Sequence, residues 1–301
     1  MNMKSKIIIT LLSVIIFTQV VFAKGVGTTM FQILQMPMTA YDAALANTSI
    51  SGEISALSNS SLIPFLFRSL TLSHVVYLED MRYSVGAVNV PLNKNSGINF
   101  SFCYFDSGKM DKILDDDGRY KEDGSFSAND KVFNLSYGTR IGESLSVGLS
   151  LKYIEQKIDD VSYSGFLAGL DGLYFVSNDV FVTLGIDNFG SDIDGYSVPT
   201  KIYCGLTGNF NETMTGIVQF DSYYNEDLSE LKLAIEKKVD KIDMRFGYII
   251  PGKEYNGTNN PVLTNLTIGL GINFTNCFVD YAWLPKGDLG NVHMFTLRVN
   301  F

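Results

Sequence analysis

The ten residues 292–301, VHMFTLRVNF, alternate between two kinds of side chain up to the last position of the chain. One row is mostly apolar and the other mostly polar: His293, Phe295, Leu297, Val299 and Phe301 against Met294, Thr296, Arg298 and Asn300. Because successive side chains of a β-strand point to opposite faces, the pattern predicts one amphipathic strand. Two structures accommodate such a strand: a membrane barrel whose apolar row meets lipid, or a soluble sheet with this stretch at its edge.

The other end of the chain has the pattern of a secretory signal. Lys4 and Lys6 form a basic start, residues 7–21 are mostly apolar, and Val21 and Ala23 occupy the two positions that a signal peptidase reads. The alternative is a transmembrane anchor, but polar residues dilute the run, which falls short of the roughly 20 apolar residues that a membrane helix needs. We therefore predict export, with cleavage after Ala23.

The composition narrows the class of protein. Charged residues make up 18% of the chain and aromatic residues 13%, whereas soluble domains usually contain about 25% charged residues. The net charge of −9 disfavours nucleic-acid binding, which requires clusters of Lys and Arg. After Ala23 no apolar stretch is long enough for a membrane helix, so a membrane location would require a closed barrel to satisfy the backbone.

Period-two alternation recurs along the chain, most clearly at residues 98–104, 145–153, 180–187, 242–250 and 265–274. From residue 66 onward we predict about fourteen strands. Their lengths are close to those of tilted membrane strands, which require about 9–11 residues. The predicted fold is all-β: a closed antiparallel transmembrane β-barrel with a short N-terminal plug segment. The predicted organisation is a signal peptide at 1–23, a plug at 24–65 and a barrel at 66–301.

The connections between predicted strands carry independent information. Every second connection is short: 92–95, 141–143, 177–179, 209–211, 239–241 and 274–276. The others include the long loops at 107–130, 190–198 and 251–261, although those near Glu79, Asp159 and Glu226 are short. Short periplasmic turns and long extracellular loops are typical of an outer-membrane barrel.

Residues 24–65 lack this alternation and contain many small residues. We interpret them as short helical pieces folded into the lumen as a plug; the alternative is a periplasmic tail. An apolar ligand would contact apolar side chains near the start of this segment: Met30, Phe31, Ile33, Leu34 and Met36.

Several motifs resemble those of PorV/PorQ-type proteins, which are similar to the FadL class of fourteen-stranded transport barrels. They are YDAALA and SALSN (residues 41–46 and 55–59), the first hairpin (72–83), residues 133–152, and DYAWLP with GDLGN (280–285 and 287–291). The chain departs from the family after Asn59, where Ser60, Ser61 and Leu62 stand in place of a Pro-Ala-Gly turn. The resemblance implies an outer-membrane barrel that acts either in uptake of hydrophobic substrates or in type IX protein secretion.

The last strand also resembles the C-terminal signal of bacterial outer-membrane barrels. Phe295, Leu297, Val299 and Phe301 are the residues that carry this likeness. It implies two partners, the lipid of the outer membrane and the machinery that assembles barrels. A small hydrophobic ligand or secretion-system proteins are the further partners that we expect.

No catalytic, metal or cofactor site is predicted. The two histidines, His74 and His293, lack an accompanying cluster of Cys or Glu. The three cysteines, Cys103, Cys204 and Cys277, lack a CxxC spacing. No nucleophile has a setting such as GxSxG, so we do not expect an enzyme.

The leading functional hypothesis is passage of small apolar molecules through the lumen, gated by the plug and by residues 107–130. The inward rows are expected to be polar, with the charged residues Lys152, Glu230, Lys232, Asp243, Arg245, Asp280 and Arg298. An apolar ligand would then bind to apolar side chains that the plug supplies. The alternative is a structural or secretion-accessory barrel whose loops hold partner proteins.

Overall fold

A computed structural model of the chain describes residues 29–49, 57–78, 81–116, 119–226, 228–252 and 261–301. The predicted signal peptide and the first residues of the predicted plug lie outside these described residues.

Fourteen strands form one closed antiparallel barrel, as the alternation predicted. The barrel closes where the first strand pairs with the last, with Ser69 opposite Asn300 and Val76 opposite His293. A separate hairpin of two strands, β4 and β5, stands outside the barrel order. The strands are β1 Ser69–Val76, β2 Arg82–Asn93, β3 Ser96–Asp106, β4 Met110–Asp116, β5 Arg119–Phe126, β6 Ala128–Ile141, β7 Leu145–Ile158, β8 Val161–Phe175, β9 Val180–Phe189, β10 Lys201–Asn211, β11 Met214–Tyr223, β12 Leu228–Val239, β13 Ile242–Pro251, β14 Leu266–Asn273, β15 Cys277–Pro285 and β16 Asn291–Asn300.

The two ends of the barrel differ in the length of their connections. At the short-turn end, β2–β3, β6–β7, β8–β9, β10–β11, β12–β13 and β14–β15 are joined by brief turns, within a few residues of the predicted positions. At the long-loop end, longer connections join β3 to β6, β9 to β10 and β13 to β14. The first of these was predicted as a long loop and contains the β4–β5 hairpin.

The apolar rows of the strands face outward. Leu149 is 57% exposed and Leu270 49%, whereas Lys152 and Gly271 of the same strands, β7 and β14, are buried. In the last strand, Phe295 is 51% exposed and Arg298 only 7%. Exposed Leu, Ile, Val and Phe on the outer face with charged side chains inside reverse the arrangement of a soluble protein and are the arrangement of a barrel in lipid.

This orientation leads to a testable result for the outer face. In Leu149→Arg, a charge replaces an outward side chain of β7, and we expect the free energy of unfolding to fall by about 2–4 kcal/mol because the charge must enter lipid. Urea unfolding of the barrel in phospholipid vesicles measures the change. The same arginine at Glu143, which is exposed in the β6–β7 turn, is the control and should have little effect. Equal stability of the two variants would contradict a lipid-facing β7.

Residues 29–49 and 57–66, here called the inner segment, lie inside the barrel. They contain a 3-10 helix at Gln32–Gln35, helix α1 at Ala40–Ala44 and a 3-10 helix at Ser60–Phe65. Thr39 caps α1 by accepting a hydrogen bond from the backbone N–H of Asp42. Helix α1 contacts β13 to β16, and the Ser60–Phe65 helix contacts β2, β3 and β6 to β8.

Small residues let the inner segment approach the wall closely. Gly269 of β14 faces Ala44, and a Cβ at this glycine would lie 2.3 Å from the Cβ of Ala44. Gly148 of β7 faces Ser60 in the same way, with a Cβ position 2.3 Å from a backbone carbon. The alanines of α1 are fully buried, so the fit depends on the absence of side chains on both surfaces.

Two short helical turns lie at the long-loop end, α2 at Pro261–Thr264 and a 3-10 helix at Gly287–Leu289. Within the described residues, no helix has both the length and the apolar character needed to cross a bilayer.

Candidate functional site

The inner wall near the long-loop end carries an apolar belt. Its side chains come from β1, β2, β3, β6, β7, β8 and β16, and none is more than 5% exposed: Val75, Val85, Cys103, Val132, Ile154, Leu167 and Met294. The expectation of a largely polar lining was therefore wrong for this half of the lumen. The belt could not be recognised in the sequence because its inward residues stand next to outward apolar or aromatic residues. Inward Val75 is followed by outward Val76, and inward Ile154 is preceded by outward Tyr153, so polarity does not alternate there.

The apolar residues predicted for ligand contact lie against this belt. Phe31 and Ile33 belong to the same buried cluster and are 1% and 2% exposed. Met30, Leu34 and Met36 are partly buried and pack against it. The start of the inner segment and the wall thus form one continuous apolar surface.

The inner wall near the short-turn end is charged. Arg245 of β13 donates to three carboxylates: Nε to Glu236 at 2.8 Å, Nη2 to Asp243 at 3.0 Å, and Nη1 to Asp280 at 2.5 Å. All four side chains are at most 6% exposed. The guanidinium also lies over the ring of Tyr41, 4.3 Å from its centroid, so α1 rests on this cluster.

Two further ion clusters also line the lumen. Lys232 donates to Asp221 at 2.7 Å and lies 3.3 Å from Glu230, and its Nζ reaches the carbonyl of Asn47 in the inner segment. Lys152 donates to Asp187 and to Asn188. Because buried charges are tolerated only when they are paired, these contacts explain why so many charges stand inside the barrel.

The remaining predicted lumen residue, Arg298 of β16, is 7% exposed and lies over the ring of Phe278 at 4.0 Å. The structure therefore brings Asp243, Arg245 and Asp280 into one cluster, with Arg298 lining the same pocket. Lys152 and Lys232 lie in separate clusters.

Several residues that hold the inner segment were missed in the sequence. Glu236 lies on the same face of β12 as Glu230 and Lys232, which were predicted to point into the lumen. This spacing by even numbers of residues could have identified Glu236 as a lumen residue. Asp171 accepts hydrogen bonds from the N–H of Ser60 at 2.8 Å and from Tyr203 at 2.6 Å. Ser60 is one of the residues at which this chain differs from the family that it resembles. The same residue anchors the inner segment to the wall.

The lumen contains two large pockets separated by a narrow one. The pocket at the long-loop end has a volume of about 640 Å³ and is lined by residues of the inner segment, including Met30, Phe31 and Ile33. The pocket at the short-turn end, beside Arg245, has a volume of about 530 Å³. Between them lies a cavity of about 40 Å³ beside Met36, Met38 and Cys103, because the inner segment fills the centre of the barrel.

The remaining candidates for chemistry are the two histidines and the three cysteines. The Nδ1 atom of His74 is 2.9 Å from the hydroxyl of Ser84, and that of His293 is 2.8 Å from the hydroxyl of Tyr281. The three cysteines are free thiols. Among the described residues, no group of three His, Cys, Asp or Glu side chains is placed to hold a metal ion.

No family model matches the chain, and no curated protein matches it in sequence. Solved structures do match. A mutant of the monoaromatic hydrocarbon channel TodX has a TM-score of 0.66 at 11% identity, covering 90% of this chain and 100% of its own. The toluene transporter TbuX of Ralstonia pickettii has a TM-score of 0.64 at 11% identity, covering 88% of this chain and 98% of its own.

A FadL homologue of Pseudomonas aeruginosa has a TM-score of 0.58 at 9% identity, covering 88% of this chain and 99% of its own. The first two of these proteins are described as a channel and a transporter, and each of the three is covered over at least 98% of its own length. The chain therefore has the fold of the FadL-type hydrocarbon channels, a closed barrel of fourteen antiparallel strands.

Proposed function

We propose that the protein is an outer-membrane channel for the uptake of small apolar molecules, with the inner segment as its plug. The observation that carries the proposal is the continuous apolar surface formed by the belt and the start of the inner segment. A pocket of about 640 Å³ opens onto this surface at the long-loop end, and that volume suits a small organic molecule.

The direction of passage follows from the two ends of the barrel. Long loops face the exterior of the cell and short turns face the periplasm in outer-membrane barrels. A ligand would reach the apolar pocket first and then meet the narrow cavity beside Met36. Onward movement requires the inner segment to shift, because that segment separates the two large pockets.

The similar proteins support this class of cargo. TodX is described as a monoaromatic hydrocarbon channel and TbuX as a toluene transporter. An apolar belt inside the wall offers such molecules an environment that a wholly polar lumen would not.

A disulfide lock of the inner segment tests the proposal. Cys103 of the wall and Met38 of the segment line the same narrow cavity of about 40 Å³, so Met38→Cys places a second thiol in the cavity that the native thiol lines. The background carries Cys204→Ser and Cys277→Ser. We expect oxidation to abolish uptake of radiolabelled toluene into cells and reduction to restore it.

Met38→Ser in the same background is the matched control and should transport under both conditions. Uptake that continues with the disulfide shown to be complete would contradict a mobile plug. A chain that transports no apolar solute even when reduced would contradict the channel itself.

The alternative function is that of a PorV-like accessory barrel, favoured by the motif at residues 280–291. The structure gives part of that motif an internal role, because Asp280 binds Arg245. An accessory barrel should co-purify with a partner protein and keep that partner when the segment is locked.

The location and the partners belong to the same proposal. Phe295, Leu297 and Phe301 lie on the outer face, 51%, 39% and 70% exposed, where membrane lipid would contact them. The strand they occupy, β16, would be recognised by the barrel-assembly machinery. A signal peptide ending at Ala23 would deliver the chain there.

A further inference from the structure

The pocket at the long-loop end contains a buried carboxylate that has no cation beside it among the described residues. Asp130 of β6 lines this pocket and is 5% exposed. Its Oδ1 accepts a hydrogen bond from Gln156 at 2.9 Å. Among the described residues, no Lys, Arg or His forms an ion pair with it, in contrast to Asp187, Asp221 and Asp280 deeper in the barrel.

A second such carboxylate lies behind the same pocket. Glu226 is 3% exposed, and its Oε1 accepts hydrogen bonds from the hydroxyl of Thr29, from Gln32 at 3.0 Å and from Gln35 at 3.1 Å. These donors are neutral, and in the described part of the chain Glu226 has no ion-pair partner. Thr29 and Gln32 line the pocket, so one layer of side chains separates it from Glu226.

Four aromatic side chains are also part of the pocket wall. Phe31 and Phe105 line it together with Tyr163 and Tyr196, whose ring centroids are 6.2 Å apart at an interplanar angle of 77°. No Lys or Arg is among its described lining residues. Aromatic faces attract cations, and the attraction is strongest where water is excluded.

We propose that this pocket binds organic ammonium ions with an aromatic or alkyl body, and that among the small molecules with an apolar body that enter the channel these cations bind most tightly. A buried carboxylate is stable when it is paired, and here the ligand supplies the positive charge that the protein lacks. The aromatic wall accommodates the apolar body. The same wall rejects carboxylates, because a fatty-acid headgroup would meet Asp130 with no cation to balance it.

This inference rests on the proposed function and names its substrate class. Three probes with the same phenylpropyl skeleton test it: 3-phenylpropylammonium, neutral 3-phenylpropan-1-ol and anionic 3-phenylpropionate. Binding of each to the full-length detergent-solubilised barrel is measured by isothermal titration calorimetry. We expect the cation to bind at least about tenfold more tightly than the alcohol, a difference of about 1.4 kcal/mol, and the anion to bind more weakly than both.

Asp130→Asn removes the charge and keeps the shape, and should bring the affinity for the cation down to that of the alcohol. Asp106→Asn is the matched control, because Asp106 pairs with Arg82 outside the pocket. It should leave all three affinities unchanged. A heat-modifiability gel shows that each variant forms the barrel.

The outcomes separate this inference from the proposed function. If the alcohol binds as tightly as the cation, or if Asp130→Asn leaves the cation's affinity unchanged, the ammonium site is wrong and an apolar channel stands. If none of the probes binds and toluene uptake is absent, the channel itself is overturned. The wild-type comparison of the three probes decides the question even if the Asp130 variant does not fold.

Discussion

Replacement of Arg245 by Met should lower the free energy of unfolding by about 3–5 kcal/mol. The substitution keeps most of the side-chain volume but leaves Glu236, Asp243 and Asp280 buried without their shared cation. Breaking a buried ion pair by removing one partner costs this much because the remaining charges are uncompensated. Urea unfolding in vesicles, followed by the fluorescence of Trp283, the only tryptophan of the chain, measures the loss.

Lys238→Met is the control for this result. Lys238 lies 3.8 Å from Glu236 and is 52% exposed, so its removal should cost less than about 1 kcal/mol. Adding Glu236→Gln to the Arg245 variant should recover part of the loss, because one fewer charge is then unpaired. A loss from Arg245→Met no larger than that from Lys238→Met would show that the cluster does not stabilise the barrel.

Replacement of Gly269 by Val should displace α1 from the wall and let ions cross the barrel. A Cβ at this position would lie 2.3 Å from the Cβ of Ala44 and 2.9 Å from the carbonyl oxygen of Tyr281, and the strand cannot yield without breaking its pairing. Overpacking of this kind costs about 1–3 kcal/mol. We expect a marked increase in conductance across planar lipid bilayers.

Gly208→Val is the matched control, because no atom lies within 4 Å of the Cβ position at Gly208. It should conduct like the wild type. The exchange Gly269→Ala with Ala44→Gly moves one methyl group across the interface and should restore most of the closure that Gly269→Ala alone disturbs. Unchanged conductance in Gly269→Val would mean that contact between α1 and β14 does not close the lumen.

The barrel was predictable because the same alternation of apolar and polar residues recurs in many strands. Each strand separates its two rows by polarity, and the alternation at residues 145–153 or 265–274 places every residue on a face independently of distant contacts. The alternating lengths of the connections added a second, independent pattern. Together they indicated a closed barrel of about fourteen strands, a strand number typical of membrane barrels, and the structure has fourteen.

The interior was less predictable because its contacts join distant parts of the chain. The anchor between Ser60 and Asp171 spans 111 positions, and that between Ala40 and Thr296 spans 256. No local pattern marks either partner. The apolar belt was also missed, because an inward Val or Ile interrupts alternation and its face emerges only from the pairing of neighbouring strands.

The position of α1 also constrains how the molecule is put together. The backbone N–H of Ala40 donates to Thr296 of β16, and that of Ala46 donates to Thr267 of β14, so a segment that precedes the barrel in sequence bonds to strands far along the chain. The pairing of β1 with β16 closes the ring. Once β1 and β16 have paired, the inner segment is enclosed by the wall, and it could enter afterwards only if a loop of the chain were threaded through one open end. The strands must therefore assemble around the inner segment before β1 and β16 pair.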